Sequence, residues 1–138
     1  MACILHIETS TKACSVALSE NGSLIFHKED IEGPNHSVVC GVFVDEALSF
    51  ANSHAIPVDA VAVSEGPGSY TGLRIGTSTA KGLCYGLNIP LIPIDTLQIL
   101  CAGAVDKLEQ TNQTWVDGAK LCPMLDARRM EVYTSIYT

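Results

Sequence analysis

Between Ser64 and Gly86 the chain runs SEGPGSYTGLRIGTSTAKGLCYG, with six glycines in this one stretch. No other segment limits the fold so strongly. It follows the apolar run Ala60 to Val63 and leads into a helical pattern, so the unit it encodes is strand, glycine turn, helix. Gly66-Pro67-Gly68 reads as a type II turn, with proline setting φ and Gly68 accepting a positive φ. The helix after it is expected over about Thr71 to Tyr85, stopped by Gly86. On that helix Gly72, Gly76 and Ala80 recur every four residues and form a smooth ridge that another helix can approach. The same stretch also suits an anion. Ser69, Thr71 and Gly72 lie near a helix N-terminus with unpaired amides, which makes Gly66, Gly68 and Ser69 candidates for a phosphate site. The Gly-Lys-Ser/Thr ending of a Walker loop is missing. The stretch is therefore expected to keep the outline of a phosphate site while its ridge, with Lys81 beside it, serves a protein interface.

The rest of the chain reads as alternating elements. Cys3 to Ile7, Ala13 to Ser19 and Leu24 to Lys28 are expected strands, the last two joined by the Asn21-Gly22 hairpin signal. A helix is expected over Ser37 to Asn52, with Asn35 or Ser37 as its cap. Asp59 to Ser64 is a buried strand parallel to the first, because a helix crosses over to it. Leu91 to Ile94 is a short fifth strand, and Asp95 or Thr96 caps a third helix through Leu108. Leu121 to Leu125 and Glu131 to Tyr137 read as further strands. The order β-β-β-α-β-α-β-α implies an α/β domain over residues 1–108, a linker over 109–120, and the start of a second, truncated domain over 121–138. The first helix is apolar on more than one face. Val38, Val42 and Ala47 or Phe50 are expected to cover the sheet. That leaves Val39 and Phe43, or Cys40 and Val44, as a stripe for a partner.

Charge and cysteine usage exclude some functions. The formal net charge is -7 with only eight Lys and Arg, a poor balance for stand-alone nucleic-acid binding. The six cysteines form no Cys-x-x-Cys pair and are expected to be buried thiols of a reducing cytosol. No secretory signal is visible and no run approaches the length of a membrane span, so a cytoplasmic location is expected. The histidines, His6, His27, His36 and His54, lack metal-ligand spacing and are expected to be structural.

Four motifs narrow the reading. They are Ile7-Glu-Thr-Ser-Thr11, the string from Gly66 to Gly76 with Ala80-Lys-Gly-Leu83 behind it, Pro90 to Leu97, and Asp126-Ala-Arg-Arg-Met-Glu-Val-Tyr133. Together they resemble the TsaB (YeaZ) family, which helps make threonylcarbamoyladenosine in tRNA. The resemblance implies the actin-like ATPase (ribonuclease H-like) fold with a mixed five-stranded sheet. It also implies a non-catalytic scaffold that docks on the transferase TsaD through the first two helices, with the ATPase TsaE as a second partner. Such a chain meets tRNA only through the complex, needs no cofactor of its own beyond a nucleotide at a subunit interface, and can pair as a homodimer when alone. The transferase carries a His-x-x-x-His metal pair where this chain has Thr96 and Leu100.

Within that frame Glu8, Thr9, Ser10 and Thr11 stand where the actin-like fold puts its first phosphate hairpin. Their alternative role is a strand-to-turn cap whose hydroxyls bond nearby backbone. Arg74 is expected to pair with Glu65 or Glu8, and Asp126, Arg128 and Arg129 to order a domain junction or reach tRNA. Two rival functions remain open: an ATP-dependent phosphotransferase using Glu8 to Thr11 and Gly66 to Gly72, and a metallopeptidase of the "glycoprotease" type.

Overall fold

The computed structural model describes residues 2–33, 35–114 and 116–138. Strands β1 (Cys3–Glu8), β2 (Cys14–Glu20) and β3 (Ser23–Asp30) form an antiparallel meander. Helix α1 (His36–Ser53) crosses to β4 (Ala60–Gly66), and helix α2 (Tyr70–Leu87) to β5 (Leu91–Asp95). Helix α3 (Thr96–Gln110) follows, and β6 (Met124–Asp126) pairs with β7 (Val132–Thr134) in a separate hairpin. The main sheet has the order β3-β2-β1-β4-β5, with β4 parallel to both β1 and β5. This is the mixed five-stranded sheet that the resemblance implies.

Strand alternation divides the sheet into two faces. Cys3, Leu5, Ile7, Cys14, Val16, Leu18, Val61 and Val63 point into one core beneath α1 and α2. His6, Ala17 and Ala62 point the other way, toward a groove also lined by Ile94 and Ile99 of the α3 side. The Asn21-Gly22 turn has φ of 51° and 80°, the two left-handed residues a tight hairpin needs.

Several expectations are corrected. Helix α1 turns Cys40, Val44, Ala47 and Ala51 to the sheet, not Val38 and Val42, which are 68% and 52% exposed. Close approach of a helix to a sheet favours thin side chains along the contact line. The bulkier Phe50 sits on the flank, its ring 5.5 Å from that of Phe26. Val39 and Phe43, expected at a partner surface, are instead partly buried against the core. Asn35 takes the cap position of α1 but makes no side-chain cap bond. Helix α2 runs through Gly86 and ends at Asn88, whose left-handed φ of 55° lets its N–H reach the Cys84 carbonyl. Asp95, one of two expected caps, accepts from the amides of Leu97 (2.7 Å) and Gln98 (3.3 Å). Gly68 takes a φ of 159°, far from the roughly 80° of a type II turn's third residue, so the turn is not type II. The two late strands are shorter than expected, with one extra bridge between Leu121 and Tyr137. The cysteines are all free, but only Cys3, Cys14 and Cys40 are buried, while Cys122 is exposed. No helix among the described residues is long and apolar enough to cross a membrane.

Candidate functional site: the Glu-Thr-Ser turn and its glycine socket

The chain leaves β1 at Glu8 and makes a turn whose next two residues, Thr9 and Ser10, are buried. Backbone groups that leave a strand inside a protein must find partners or close contacts. Those contacts come from the glycine stretch. The Ser69 amide donates to the Ser10 carbonyl at 2.7 Å. A side chain at Gly68 would strike Ser10, one at Gly72 would strike the Thr9 carbonyl, and one at Gly76 would strike the Thr9 hydroxyl. The two motifs are thus one unit. Glu-Thr-Ser is a key, and the glycines of the β4–α2 turn and of α2 are its socket.

This arrangement reassigns the small-residue ridge. Gly72, Gly76 and Ala80 are all buried in the chain's own interior. The interface role expected for these three fails because the turn after β1 and the core already fill that side of α2. Lys81 is exposed. The outward face of α2 carries Tyr70 and Tyr85, 75% and 93% exposed.

The acidic residue of the turn is also occupied. One Glu8 oxygen, Oε1, accepts from the Ser10 amide (2.8 Å), the Ser64 hydroxyl (2.9 Å) and, in a short bond, the Ser10 hydroxyl. Ser64 was not singled out in the sequence. Its signal was the strand register: Ile7 pairs with Val63 in the parallel β1–β4 ladder, so Glu8 and Ser64 come next on the two strands. Of the candidate phosphate residues, Glu8, Thr9, Ser10, Gly68 and Ser69 gather at one place, as the Ser10–Gly68 approach and the Ser10–Ser69 bond show, while Gly66 stands at the end of β4 against the Leu73 side chain. The Thr9 hydroxyl has no hydrogen-bond partner among the described residues.

Beside this unit opens a cleft of about 960 Å³, bounded by Thr11 and Lys12, by His36 and Ser37 at the start of α1, by the first turn of α2, and by the β6–β7 hairpin. His36, 8% exposed, places Nε2 2.8 Å from the Thr11 carbonyl, to which it donates, and so ties the β1–β2 turn to α1. His6 lies within β1, with Nε2 2.7 Å from the Ser19 hydroxyl, and burial lowers its pKa from 6.5. In the core the Cys14 thiol is pushed up by its hydrogen bond to Cys40 and by burial.

The charged candidates behave differently from expectation. Among the described residues the Lys or Arg ion pair is Lys28–Glu46, and His27 lies 3.9 Å from Glu29. Arg74 therefore pairs with neither Glu65 nor Glu8. Its guanidinium lies over the Tyr70 ring, 5.4 Å from the centroid. Arg128 and Arg129 have no carboxylate partner among the described residues, and Asp126 instead accepts from the Arg128 amide at 2.8 Å. Among the described residues no three His, Cys, Asp or Glu side chains converge as a metal site. Thr96 is buried at the start of α3 and Leu100, one turn on, is 40% exposed.

Comparison with known proteins places this architecture. The family model described as TsaD, tRNA N6-adenosine threonylcarbamoyltransferase, matches residues 30–138. The tRNA threonylcarbamoyladenosine biosynthesis protein TsaB of Haemophilus influenzae is 35% identical over 132 residues, covering 96% of this chain and 52% of the relative. The TsaB protein of Escherichia coli is 35% identical over 134 residues, covering 97% of this chain and 54% of the relative. The chain thus spans about half the length of these curated relatives. The solved structure of YeaZ from Pseudomonas aeruginosa superimposes with a TM-score of 0.76 at 29% identity, over 99% of this chain and 59% of that one. With its sequence matched over nearly its whole length and its fold superimposing on YeaZ, the chain belongs to the TsaB (YeaZ) family.

Proposed function

We propose that the protein is a non-catalytic scaffold and activator in the formation of N6-threonylcarbamoyladenosine in tRNA. The observation that carries this reading is the filled turn. Where the actin-like fold would grip a phosphate, this chain inserts its own Thr9–Ser10 backbone into the glycines and ties the Glu8 oxygen to Ser10 and Ser64. A carboxylate oxygen already holding three donors is poorly placed to serve a magnesium ion or a substrate.

Activity then lies in docking. The outward sides of α1 and α2 offer Val38, Val42, Tyr70 and Tyr85, which supports them as the surface for the transferase TsaD. Val39, Phe43 and Lys81 border that surface from the flanks of the same helices. In the absence of TsaD a second copy covers it as a homodimer. TsaE joins as the ATPase of the complex, and a nucleotide sits at a subunit interface if anywhere. Residues 109–120 act as the linker to a second unit that begins at residues 121–138, and the protein works in the cytoplasm.

Reconstitution tests the reading. TsaD from the same organism, TsaE, threonylcarbamoyl-adenylate and unmodified tRNA are combined with and without this protein. Modification is expected to depend on it, and the protein alone to be inert. A TsaD that neither binds this protein nor needs it would overturn the proposal.

A further inference from the structure

The β6–β7 hairpin turns in an unusual way. Arg128, Arg129 and Met130 all have left-handed backbone, with φ of 67°, 54° and 62°. Non-glycine residues visit that region singly, since Cβ crowds the backbone there, and three in succession are costly. The turn is held by three bonds: the Arg128 amide to Asp126 Oδ1 (2.8 Å), the Ala127 amide to the Glu131 carbonyl (3.0 Å), and the Glu131 amide to the Arg128 carbonyl (3.0 Å). It presents two exposed guanidiniums and a fully exposed methionine. Neither guanidinium has a carboxylate partner among the described residues, so the turn does not exist to make an internal ion pair.

The turn forms one wall of the 960 Å³ cleft. Arg128, Lys12, Tyr70 and Tyr133 all line it. Arg74, stacked on Tyr70, brings another cation to the rim. One carboxylate, Asp126, lines the cleft with them, and its Oδ1 already holds the Arg128 amide. In a chain of net charge -7, with eight Lys and Arg in all, two of the eight, Lys12 and Arg128, line this cleft, Arg129 follows Arg128 in the turn, and Arg74 lies over Tyr70, which also lines it. Cations interleaved with exposed aromatic rings beside a wide cleft suit an unpaired nucleotide of RNA, with phosphates on the cations and a base against a ring.

Against the expectation that this chain meets tRNA only through its complex, we propose that this cleft and the Arg128–Arg129 turn form an RNA-contacting surface that takes a single-stranded segment of the tRNA substrate. The identity of the RNA rests on the tRNA-modification reading; the surface itself rests on the side chains. A free nucleotide shares the phosphate chemistry, so the experiment separates the two.

The test is fluorescence anisotropy of a labelled, unmodified tRNA transcript with the protein, at about 50 mM and about 200 mM salt. The Arg128→Ala/Arg129→Ala variant is expected to bind about tenfold more weakly at the lower salt and to show a salt slope smaller by about one to two. The Arg128→Lys/Arg129→Lys variant keeps the charge and is expected to recover most of the affinity. An adenosine-rich oligoribonucleotide should compete, and ATP with magnesium at equal phosphate concentration should not. Equal tRNA affinity of wild type and the alanine variant overturns the proposal, as does absence of wild-type binding at the lower salt. Competition by ATP but not by the oligonucleotide also overturns it, in favour of a free nucleotide. Association of the same variants with TsaD is measured in parallel. Loss of tRNA binding with TsaD association intact supports the cleft. Intact tRNA affinity with intact TsaD association sinks only the cleft, and failure of the wild type to bind TsaD sinks only the docking reading.

Discussion

The two sides of α2 use opposite chemistry. Its inner side carries a line of minimal side chains, Gly72, Gly76 and Ala80, buried so that backbone can lie against the β1 turn, with Ile75 and Leu83 packed on the core beside it. Its outer side bears Tyr70, Arg74, Lys81 and Tyr85, long groups held in solvent. The inner side answers to the fold and tolerates nothing larger. The outer side makes no comparable demand on stability and is available for partners. Small residues spaced by four were read from sequence as an invitation to another molecule, whereas here they receive the chain's own β1 turn.

The sharpest way to break this contrast is to thicken the inner side. Gly76→Val is expected to destabilise the protein by about 3 kcal/mol or more, because its side chain would occupy the place of the Thr9 hydroxyl. A urea midpoint close to wild type would show that the socket is not needed. Next in size is Glu8→Ala, which leaves the Ser10 amide and the Ser64 hydroxyl without their acceptor and is expected to cost about 2 kcal/mol. A loss below about 0.5 kcal/mol in the same denaturation series would mean water replaces the carboxylate freely.

A smaller effect appears with pH. Burial lowers the pKa of His6 in the folded protein, so the unfolded chain takes up this proton first as pH falls. Its contribution to stability is whole above pH 6.5 and declines below it, until the folded protein also protonates. His6→Gln should flatten the stability profile in that acidic window, and an unchanged slope would remove His6 as the cause. The smallest effect on stability belongs to the outer side of α2. Tyr85→Ala should shift unfolding by no more than about 0.5 kcal/mol while weakening association with TsaD. A large stability loss there would erase the distinction between the two sides.

Much of the fold was legible because period and turn chemistry agree. The Asn21-Gly22 hairpin, the antiparallel meander and the parallel β1–β4 pair follow from local signals. The face of α1 was not legible. Apolar residues surround it, and only packing against Val16 and Leu18 selects Cys40 and Val44 over Val38 and Val42. The stop of α2 was misread because Gly86 is an obvious terminator, yet Asn88 two residues later also accepts a left-handed backbone. At the site the residue types of both motifs were visible, but their mutual fit was not. No one-dimensional pattern states that Thr9 lies against Gly72 and Gly76. Arg74 was paired on paper with the nearest carboxylates, while the ring one helical turn before it is its actual neighbour.

The strand order has a consequence during synthesis. β1 is made first, yet it lies in the middle of the sheet, between β2 and β4. The meander of β1 to β3 can close as soon as it leaves the ribosome, since its contacts are local. Its far edge must then wait for the whole of α1 and the start of β4 at Ala60. Throughout that interval β1 presents an unpaired edge of backbone donors and acceptors, with Leu5 and Ile7 uncovered. A nascent chain paused before residue 60 is therefore the form of this protein most open to strand-to-strand aggregation, and the one a chaperone would serve best.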